Sequence, residues 1–593
     1  MRWRPAFAPS AACCAVALLA GGCSESSDVT QLERVAPSSP SAPEAGPPEP
    51  EAVPRVPLAR LSLQRIDAPA LSAAVPGCHL ASPIASADGF IAASGDRVRA
   101  FSSQGDRLWE SVLPAPPGEK AFVVATPLRL GAELFVAYHT LAASAPFDVN
   151  QPRTSQRVLA LDAASGLPSP QYEPIRLTHT FAGNDARSIP FRADRALARS
   201  ALVSGTAPDG ERLIVSFGNA RDIQPWHGFA FELNLELWRS AGAAAALSGS
   251  LIVTPEAECG PDGRTGSRDR RCGGGLWAPS GPLSVPNADS FSLVFAPGNG
   301  QLDLARGDYA NTLLRTGPGL RFEPGCSEAC TDFDADAPSV ACMESCRDLF
   351  IPRDASGDAF PYPESGACDG LSLFECWQAL DYVGGSTPVK LSFEGRDVLA
   401  YPAKDGAVYL VDYEHLGTLY DRKQLVRVCG TRSDRCRQDW AGMIVTEPAL
   451  LEEAGRSLLV VPTFMPDATH PAGVFGLALA AHSDGTPRLE IAWQYPPPES
   501  PEARLMFREH PTRVALAEID GTAVAVLVDV HGGGRGRLLA LRAADGRLLA
   551  EAELDGAGYR FVEPLILGDR LVVPSCERDS GPSHLELFRL SPD

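Results

Sequence analysis

The chain has 593 residues, of which 45% are hydrophobic and 21% charged, and its formal net charge is −21 at pH 7. This length exceeds one ordinary core and predicts several domains or one architecture built from repeats. The acidic balance argues against a nucleic-acid-binding surface, which needs basic patches. No apolar run in the sequence reaches the 18 residues that a membrane-spanning helix needs.

Residues 1–22 have the organisation of a secretory signal peptide. Two arginines precede an apolar stretch, 11–20, which is followed by small residues and Cys23. The LAGGC ending resembles the lipobox of bacterial lipoproteins, which implies cleavage before Cys23, lipidation of its thiol and stable anchoring by several acyl chains. Ser24 after the cysteine resembles lipoproteins sorted to the outer membrane. The alternative is a secreted protein with an unmodified Cys23.

Residues 23–57 contain the Pro-rich stretch SSPSAPEAGPPEPEAVPRVP, which offers almost nothing for a core. Such composition favours an extended, semi-rigid spacer. We therefore expect a disordered tether between the lipid and a globular body at 58–593.

Twelve cysteines follow Cys23, and an even number in an exported chain predicts disulfides. They are Cys78, Cys259, Cys272, Cys326, Cys330, Cys342, Cys346, Cys368, Cys376, Cys429, Cys436 and Cys576. Three pairs are close enough in sequence to close single loops: Cys259–Cys272, Cys368–Cys376 and Cys429–Cys436. The C-x-x-x-C motifs at 326–330 and 342–346 fit either a zinc site or two disulfides across a helical hairpin. An oxidising compartment favours the disulfides.

One strand pattern recurs along the chain. Its clearest copy, PAKDGAVYLVDYEHLG at 402–417, alternates in polarity and predicts a half-buried strand that ends at Asp412 before a turn. RVLALDAASGLP (157–168) and RLLALRAADGRLL (537–549) share this pattern. Short strands that repeat every forty to sixty residues or so predict a β-propeller or an array.

Eight groups of strands are predicted to start near residues 78, 119, 198, 276, 379, 441, 508 and 560, with a seven-bladed ring as the alternative. The last group has three strands, and RLSLQRI (60–66) can supply the fourth. This closure removes the exposed edges of an open array. It also brings Cys78 and Cys576 to one face of the ring, where a disulfide between them would lock it.

The strand–Asp–x–x–(Thr/Ser)–Gly–strand unit resembles the repeat of the pyrroloquinoline quinone (PQQ) dehydrogenase-like β-propellers. The same repeat occurs in non-enzymatic outer-membrane assembly lipoproteins. The resemblance covers roughly residues 60–590 and implies an all-β, eight-bladed propeller. In the dehydrogenases of this family, PQQ lies on the axis over a calcium ion. A Trp forms the floor, Asn and an acidic residue bind the calcium, an Asp is the base, and a Lys or Arg contacts the quinone.

Five stretches map these roles onto the chain. GGGLWAPSG places the floor at Trp277, and PAKDG places the quinone-contacting cation at Lys404. APGNG maps one calcium ligand to Asn299, and FGNARDIQPWHGF maps the other to Asp222 at a shifted spacing. ARGDYANTLL maps the base to Asp308. For Lys404, a surface position beside an acidic neighbour in a Lys-Asp-Gly turn is the competing interpretation.

The sequence also departs from the family's enzymes. The adjacent cysteines that usually lie beneath the cofactor occur only at 13–14, inside the signal peptide, and no C-x-x-C-H motif for a c-type haem is present. These departures favour the interpretation that the mapped residues are turn and packing residues that came with the fold. The leading hypothesis is a lipid-anchored, non-enzymatic envelope scaffold or binding module without a cofactor. The alternative is a PQQ- and calcium-dependent dehydrogenase of an alcohol or sugar.

Six of the cysteines lie between 326 and 376. This concentration predicts a disulfide-rich insert, 323–378, between blades four and five that projects from one face. Insertions in repeat folds commonly carry binding, so we expect the insert to contact an envelope protein partner.

Overall fold

The computed structural model describes residues 58–593 apart from 79–80, 184–186, 221–222, 261–271, 354–383, 427–443, 454, 465–470, 531–533 and 577–580. Eight antiparallel sheets form the eight blades of a β-propeller, as the repeats predict. The described part of the chain includes no helix that is both long and apolar enough to cross a membrane.

The first half of the ring begins with β1 (Leu61–Ile66), which belongs to the last blade. Blade one contains β2 (Ile84–Ala85), β3 (Gly89–Ser94), β4 (Arg97–Ser102) and β5 (Arg107–Val112). Blade two contains β6 (Glu119–Val123), β7 (Leu128–Leu130), β8 (Glu133–Ala142), β9 (Ser155–Asp162) and β10 (Ile175–Arg176), and a ribbon follows with β11 (Thr180–Ala182) and β12 (Ser188–Pro190). Blade three contains β13 (Ala196–Leu197), β14 (Val203–Ala207), β15 (Gly210–Asn219), β16 (Phe229–Asn234) and β17 (Leu247–Ile252). Blade four, with a ribbon in its middle, contains β18 (Leu283–Pro286), β19 (Phe291–Phe295), the ribbon strands β20 (Leu302–Asp303) and β21 (Asp308–Tyr309), β22 (Leu313–Thr316) and β23 (Leu349–Phe350).

The second half is more regular, with four strands in every sheet. Blade five contains β24 (Val389–Phe393), β25 (Arg396–Pro402), β26 (Ala407–Asp412) and β27 (Leu419–Gln424). Blade six contains β28 (Ala449–Glu453), β29 (Arg456–Pro462), β30 (Val474–Ala481) and β31 (Pro487–Tyr495). Blade seven contains β32 (Ala515–Ile519), β33 (Thr522–Asp529), β34 (Arg537–Arg542) and β35 (Leu548–Glu553). Blade eight contains β36 (Leu565–Leu567), β37 (Arg570–Cys576) and β38 (Ser583–Pro592).

Helical segments are short and connect strands. They are α1 (Pro69–Ser72), α2 (Leu235–Ala241), α3 (Val340–Ser345) and 3₁₀ turns at Ala243–Ala245, Pro318–Leu320, Glu328–Cys330 and Pro501–Arg504.

The ring closes as predicted. β1 pairs antiparallel with β38, with Leu61 opposite Pro592 and Ile66 opposite Leu587, so the N-terminal strand completes blade eight. The predicted Cys78–Cys576 disulfide joins residues 498 apart in sequence, with Cα atoms 5.4 Å apart. Hydrogen bonds and one covalent bond thus hold the two ends of the propeller together.

Strand β26, which carries the clearest copy of the repeat, is not half-buried as the alternation predicted. Residues 407–411 are all buried, and only Asp412 is partly exposed. Blade sheets stack face to face around the ring, so a middle strand packs against a neighbouring blade on both sides. The Lys-Asp-Gly turn before the strand is as predicted, since Gly406 has φ +77°, which favours glycine.

The cysteine-rich region differs from its predicted place. It lies within blade four, because β23 (Leu349–Phe350) inside the predicted insert is that blade's outer strand. Its described half packs onto the ring rather than projecting, with the Gly417 N–H donating to the Cys346 carbonyl at 2.8 Å. The two motifs form the nested disulfides Cys326–Cys346 and Cys330–Cys342, the second of the two readings of their spacing.

A third short-range pair, Cys259–Cys272, also forms the predicted disulfide. The other four candidates, Cys368, Cys376, Cys429 and Cys436, lie outside the described residues, as do the signal peptide and the tether.

Candidate functional site

Residues just before the innermost strands of several blades converge at the centre of the ring. Arg199 lies four residues before β14, His510 five before β32, and Arg560 and Phe561 five and four before β36. The ring of Phe561, from blade eight, lies 6.3 Å from that of Trp277, at the entry to blade four. Opposite blades of a ring meet only at its axis. We call Arg199, Trp277, Lys404, His510, Arg560 and Phe561 the axial site.

Trp277 and Lys404, predicted to contact a cofactor, lie against each other in this site. The Lys404 Nζ lies 4.2 Å from the centre of the Trp277 ring, a cation–π contact. Gly385 makes room for this pair, since a Cβ there would lie 2.2 Å from the Trp277 ring and 2.9 Å from the Lys404 Cε. Only a glycine backbone fits so close to both side chains.

The alternative interpretation of Lys404 as a surface residue is wrong. Lys404 is only 1% exposed, because the turn between β25 and β26 faces the centre of the ring. The neighbouring Asp405 is also buried, and it accepts hydrogen bonds from Arg422 at 2.7 Å and from the Tyr409 hydroxyl at 2.8 Å. The acidic neighbour therefore has partners inside its own blade.

Three cations surround the buried imidazole of His510, which packs on Phe464 with ring centres 3.6 Å apart. Burial, followed by the positive charges of Arg560, Lys404 and Arg199, holds the pKa of His510 well below its usual value. The axial site is therefore cationic within a strongly acidic chain, and its histidine stays neutral near pH 7.

The two arginines of the axial site pack on aromatic rings rather than on carboxylates. The Arg199 Cζ lies 5.8 Å from the Trp277 ring and 5.2 Å from the Phe561 ring, and the Arg560 Cζ lies 5.6 Å from the Phe561 ring. Within the described ranges, neither arginine forms an ion pair with a carboxylate, and the Nε of each is buried without a hydrogen-bond partner. Burial also lowers the pKa of Arg199.

Both arginines line a cavity of about 160 Å³ beside the axis. The remaining lining is mainly aromatic, with Phe122, Phe147 and Tyr559. One carboxylate, Asp148, also lines the cavity, and its Oδ1 accepts hydrogen bonds from the backbone and side chain of Asn150. The cavity is smaller than the roughly 300–1,000 Å³ typical of ligand pockets, so it suits a small group rather than a whole cofactor.

The two other mapped residues that the structure describes are both buried. The Asn299 carbonyl accepts from the Gly274 N–H at 2.8 Å, and Asp308 Oδ1 accepts from the Glu256 N–H at 2.9 Å. The second carboxylate oxygen of Asp308 is buried without a hydrogen-bond partner, and burial raises the pKa of Asp308 to about 6. Asp222, the predicted acidic calcium ligand, lies outside the described residues.

This arrangement does not fit PQQ stacked on Trp277. The ammonium group of Lys404 covers a face of the indole ring at 4.2 Å, where a planar cofactor would have to lie, and the neighbouring cavity is small. The chemistry that the site offers as it stands is recognition of an anionic group by two guanidinium groups and a lysine.

Sequence reasoning found Trp277 and Lys404 but missed Arg199, His510 and the Arg560–Phe561 pair. These residues belong to no motif of their own. Glu-Pro precedes the inner strands β28 and β36, at 447–448 and 563–564, so aligning these two blades would have pointed to Arg560 and Phe561 but not to Arg199 or His510. Positions two to three residues earlier then point to the axis.

Comparison with protein-family models and with curated proteins finds no match. Among solved structures, BamB from Moraxella catarrhalis is 12% identical over 90% of this chain and 97% of its own, with a TM-score of 0.39. A europium-containing methanol dehydrogenase is 11% identical over 89% and 93%, with a TM-score of 0.49. A quinohemoprotein alcohol dehydrogenase from Comamonas testosteroni is 13% identical over 90% and 76%, with a TM-score of 0.45. At such identities the similarity concerns the propeller fold alone.

Proposed function

We propose that this chain is a lipid-anchored binding module of the bacterial envelope, not an enzyme, and that its axial site holds a carboxylate group of a partner protein. The observation that carries the proposal is the pair Arg199 and Arg560, which line one cavity and lack carboxylate partners within the described residues.

Partly buried guanidinium groups without counterions are unfavourable, because burial removes hydration that nothing replaces. A carboxylate from outside would supply both the missing charge and paired hydrogen bonds, which guanidinium groups form in a fork geometry. The small cavity admits an acidic side chain or a C-terminal carboxylate. The acidic body of the protein would repel acidic segments that lack this fit, so the site adds specificity.

The test uses glutarate, a small dicarboxylate, as the probe in isothermal titration. Wild type should bind it saturably, and Arg199→Gln or Arg560→Gln should weaken binding at least tenfold, since each removes a charge-assisted hydrogen bond of about 1.5–3 kcal/mol. Arg535→Gln is the matched control, because Arg535 is exposed on blade seven. Unchanged binding in both axial variants would contradict the proposal.

The second candidate function, a PQQ- and calcium-dependent dehydrogenase, has one observation in its favour. Asp308 has a raised pKa and an unpartnered carboxylate oxygen, as a catalytic base would. PQQ would supply the oxidant for an alcohol when bound. Reconstitution with PQQ and Ca²⁺ should give no alcohol-dependent dye reduction; activity that Asp308→Asn abolishes would establish the enzyme instead.

Anchoring in the outer membrane is the other part of the proposal, and LAGGC followed by a Pro-rich tether supports it. Cys23→Ser should move the protein from the membrane fraction to the soluble fraction, because the thiol is the acylation point. Unchanged partitioning would refute lipidation and leave the axial-site proposal standing.

A further inference from the structure

A histidine faces the Cys259–Cys272 disulfide at the entry to blade four, away from any role considered above. The His227 Nε2 lies 3.4 Å from the Cys259 Sγ. The reactive atoms of His227, Cys259 and Cys272 all lie within 4.8 Å of one another. The disulfide joins two cysteines that are 13 residues apart in the sequence, and His227 comes from a separate segment of the chain.

The hydrogen bonds around His227 favour a proton on its Nδ1. The Thr254 hydroxyl donates its one proton to the Gly273 carbonyl at 3.1 Å. The same hydroxyl oxygen lies 3.0 Å from the His227 Nδ1, so it accepts the Nδ1 proton. The Nε2 therefore has a lone pair, and this lone pair faces sulfur. Metal-binding histidines are held in the same way, with the second nitrogen donating to a protein oxygen.

The distance between the His227 nitrogen and the Cys259 sulfur matches a tetrahedral zinc centre, whereas the two bonded sulfurs are too close together for one. Zinc bonds of about 2.3 Å to sulfur and 2.0–2.1 Å to nitrogen place nitrogen and sulfur about 3.5 Å apart and two sulfurs about 3.8 Å apart. The observed 3.4 Å between the His227 Nε2 and the Cys259 Sγ is already that first distance. Only the sulfur–sulfur bond has to open, which reduction does.

A buried amide supplies an independent observation at the second sulfur. Gln224 is 2% exposed, its Oε1 lies 2.8 Å from the Cys272 Sγ, and its Nε2 has no hydrogen-bond partner. A half-turn of the amide group would point its unpartnered N–H groups at that sulfur. A thiolate accepts such hydrogen bonds, whereas a disulfide sulfur accepts them only weakly.

We propose that His227, Cys259 and Cys272 form a Cys₂His site for zinc or a similar soft divalent metal when their disulfide is reduced. A dithiol reductant gives two electrons and two protons to the Cys259–Cys272 bond and leaves as a cyclic disulfide. Metal binding then releases two protons as the thiols become thiolates, while His227 contributes its lone pair. The fourth position stays open to water or to another ligand.

The same chain contains an internal reference. The Cys326–Cys346 disulfide also joins a partly exposed sulfur to a buried one, but the group of possible ligand atoms around it contains cysteines only. The alkylation of Cys326 and Cys346 in the presence of reductant and metal therefore shows the effects that do not depend on His227.

The test is zinc protection of single cysteines against alkylation, read by peptide mapping of the full chain. The reductant concentration is kept below the level at which the near-ultraviolet circular dichroism spectrum changes, so that the fold is retained. Zn²⁺ should protect Cys259 and Cys272 in wild type and not in His227→Ala, and Cys326 and Cys346 should behave alike in both proteins. Equal protection in His227→Ala, no protection in wild type, or no reduction of the pair before the fold is lost would each overturn the proposal.

A second variant decides the matter if His227→Ala does not fold. Thr254→Val keeps all three ligands and removes the hydrogen bond that orients the imidazole, together with the hydroxyl's bond to the Gly273 carbonyl, which still accepts from the Gly228 N–H at 2.8 Å. Loss of such a partner typically weakens metal binding 10- to 100-fold, so half-protection should need about tenfold more Zn²⁺ at least. An unchanged zinc requirement in Thr254→Val would show that His227 is not a ligand.

Discussion

Two layers of charged residues surround the axis, about three residues apart along each chain segment. In one layer the charges are paired with each other, and in the other they are not. In the first layer, Glu447, Arg513 and Glu563 each lie two residues before the inner strand of blades six, seven and eight. Arg513 bridges to Glu447 at 2.6 Å and to Glu563 at 2.9 Å, so three neighbouring blades are joined by ion pairs. In the second layer, the axial site, Arg199 and Arg560 contact aromatic rings instead.

The pKa values reflect this difference. Burial lowers the pKa of Arg513, but Glu563 and Glu447 outweigh it, and the net shift is upward. Burial lowers the pKa of Arg199 and the shift stays downward. The first layer is thus complete within the fold, whereas under the proposed function the axial layer would gain stability from an external anion. Charges that the fold has already paired indicate structure, and charges that it leaves unpaired indicate binding.

The largest effect is expected where the axial layer is most tightly packed. Gly385→Ala would place a methyl group 2.2 Å from the Trp277 ring at φ +82°, and should lower the free energy of unfolding by about 3 kcal/mol. Gly395→Ala is the matched control, with the same φ of +82° and nothing within 4 Å; it should lose only about 1 kcal/mol. Denaturant unfolding measures both. Equal losses would mean that Trp277 and Lys404 can move apart freely.

The paired layer should lose about 2 kcal/mol when its arginine is removed. Arg513→Gln leaves Glu447 and Glu563 close together and partly buried without a cation, which is costlier than losing an exposed pair. A double-mutant cycle with Glu563→Gln should recover part of the loss, since the second change removes one orphaned charge. A loss of unfolding free energy below about 0.5 kcal/mol would mean that Arg513 behaves like the axial arginines and that the two layers do not differ in their contribution to stability.

Acidification should weaken the axial layer. The pKa of His510 lies well below its usual value of about 6.5, so the unfolded chain binds the proton first and stability falls as pH drops below about 6.5. Melting temperatures from pH 7.5 to 5 should therefore decline less steeply in His510→Gln than in wild type, and His482→Gln, at an exposed site, should follow wild type. Buried His139 shifts in the same direction and keeps part of the decline in all three proteins. Identical slopes would mean that burial and the three cations do not lower the pKa of His510 in the folded protein.

Sequence alone predicts the ring well because a propeller repeats one local rule. Strand, turn and glycine recur in several blades, and ring closure follows from counting strands, which is why the pairing of β1 with β38 and the Cys78–Cys576 bond are as expected. Burial is harder to predict. The alternating pattern of β26 predicts one solvent-exposed face, but the neighbouring blades pack against the strand on both sides and bury both of its faces.

The axial site is only partly predictable, for a geometric reason. Trp277 and Lys404 have recognisable motifs, whereas Arg199 and Arg560 are single residues separated by 361 positions (560 − 199) that meet only through ring closure. Motif matching also places Asp308 in a catalytic role, which stays a prediction; the structure adds that one carboxylate oxygen accepts from the Glu256 N–H and that the other has no partner. Spacing along a chain cannot show which way a carboxylate turns.

The smallest effect should come from the two arginines whose removal matters most for binding. Neither Arg199 nor Arg560 forms a carboxylate pair within the described residues, and both raise the positive potential at His510, so replacing either by glutamine leaves no acidic partner behind. Lost packing of the side-chain stem on the Phe561 ring works against the relief of repulsion between cations. We therefore expect Arg199→Gln and Arg560→Gln to change the free energy of unfolding by less than about 0.5 kcal/mol, as for surface substitutions. Saturating glutarate should raise the melting temperature of wild type but not of either variant, since only an occupied axial layer gains stability by mass action. A loss comparable to that of Arg513→Gln would show instead that the axial arginines are structural.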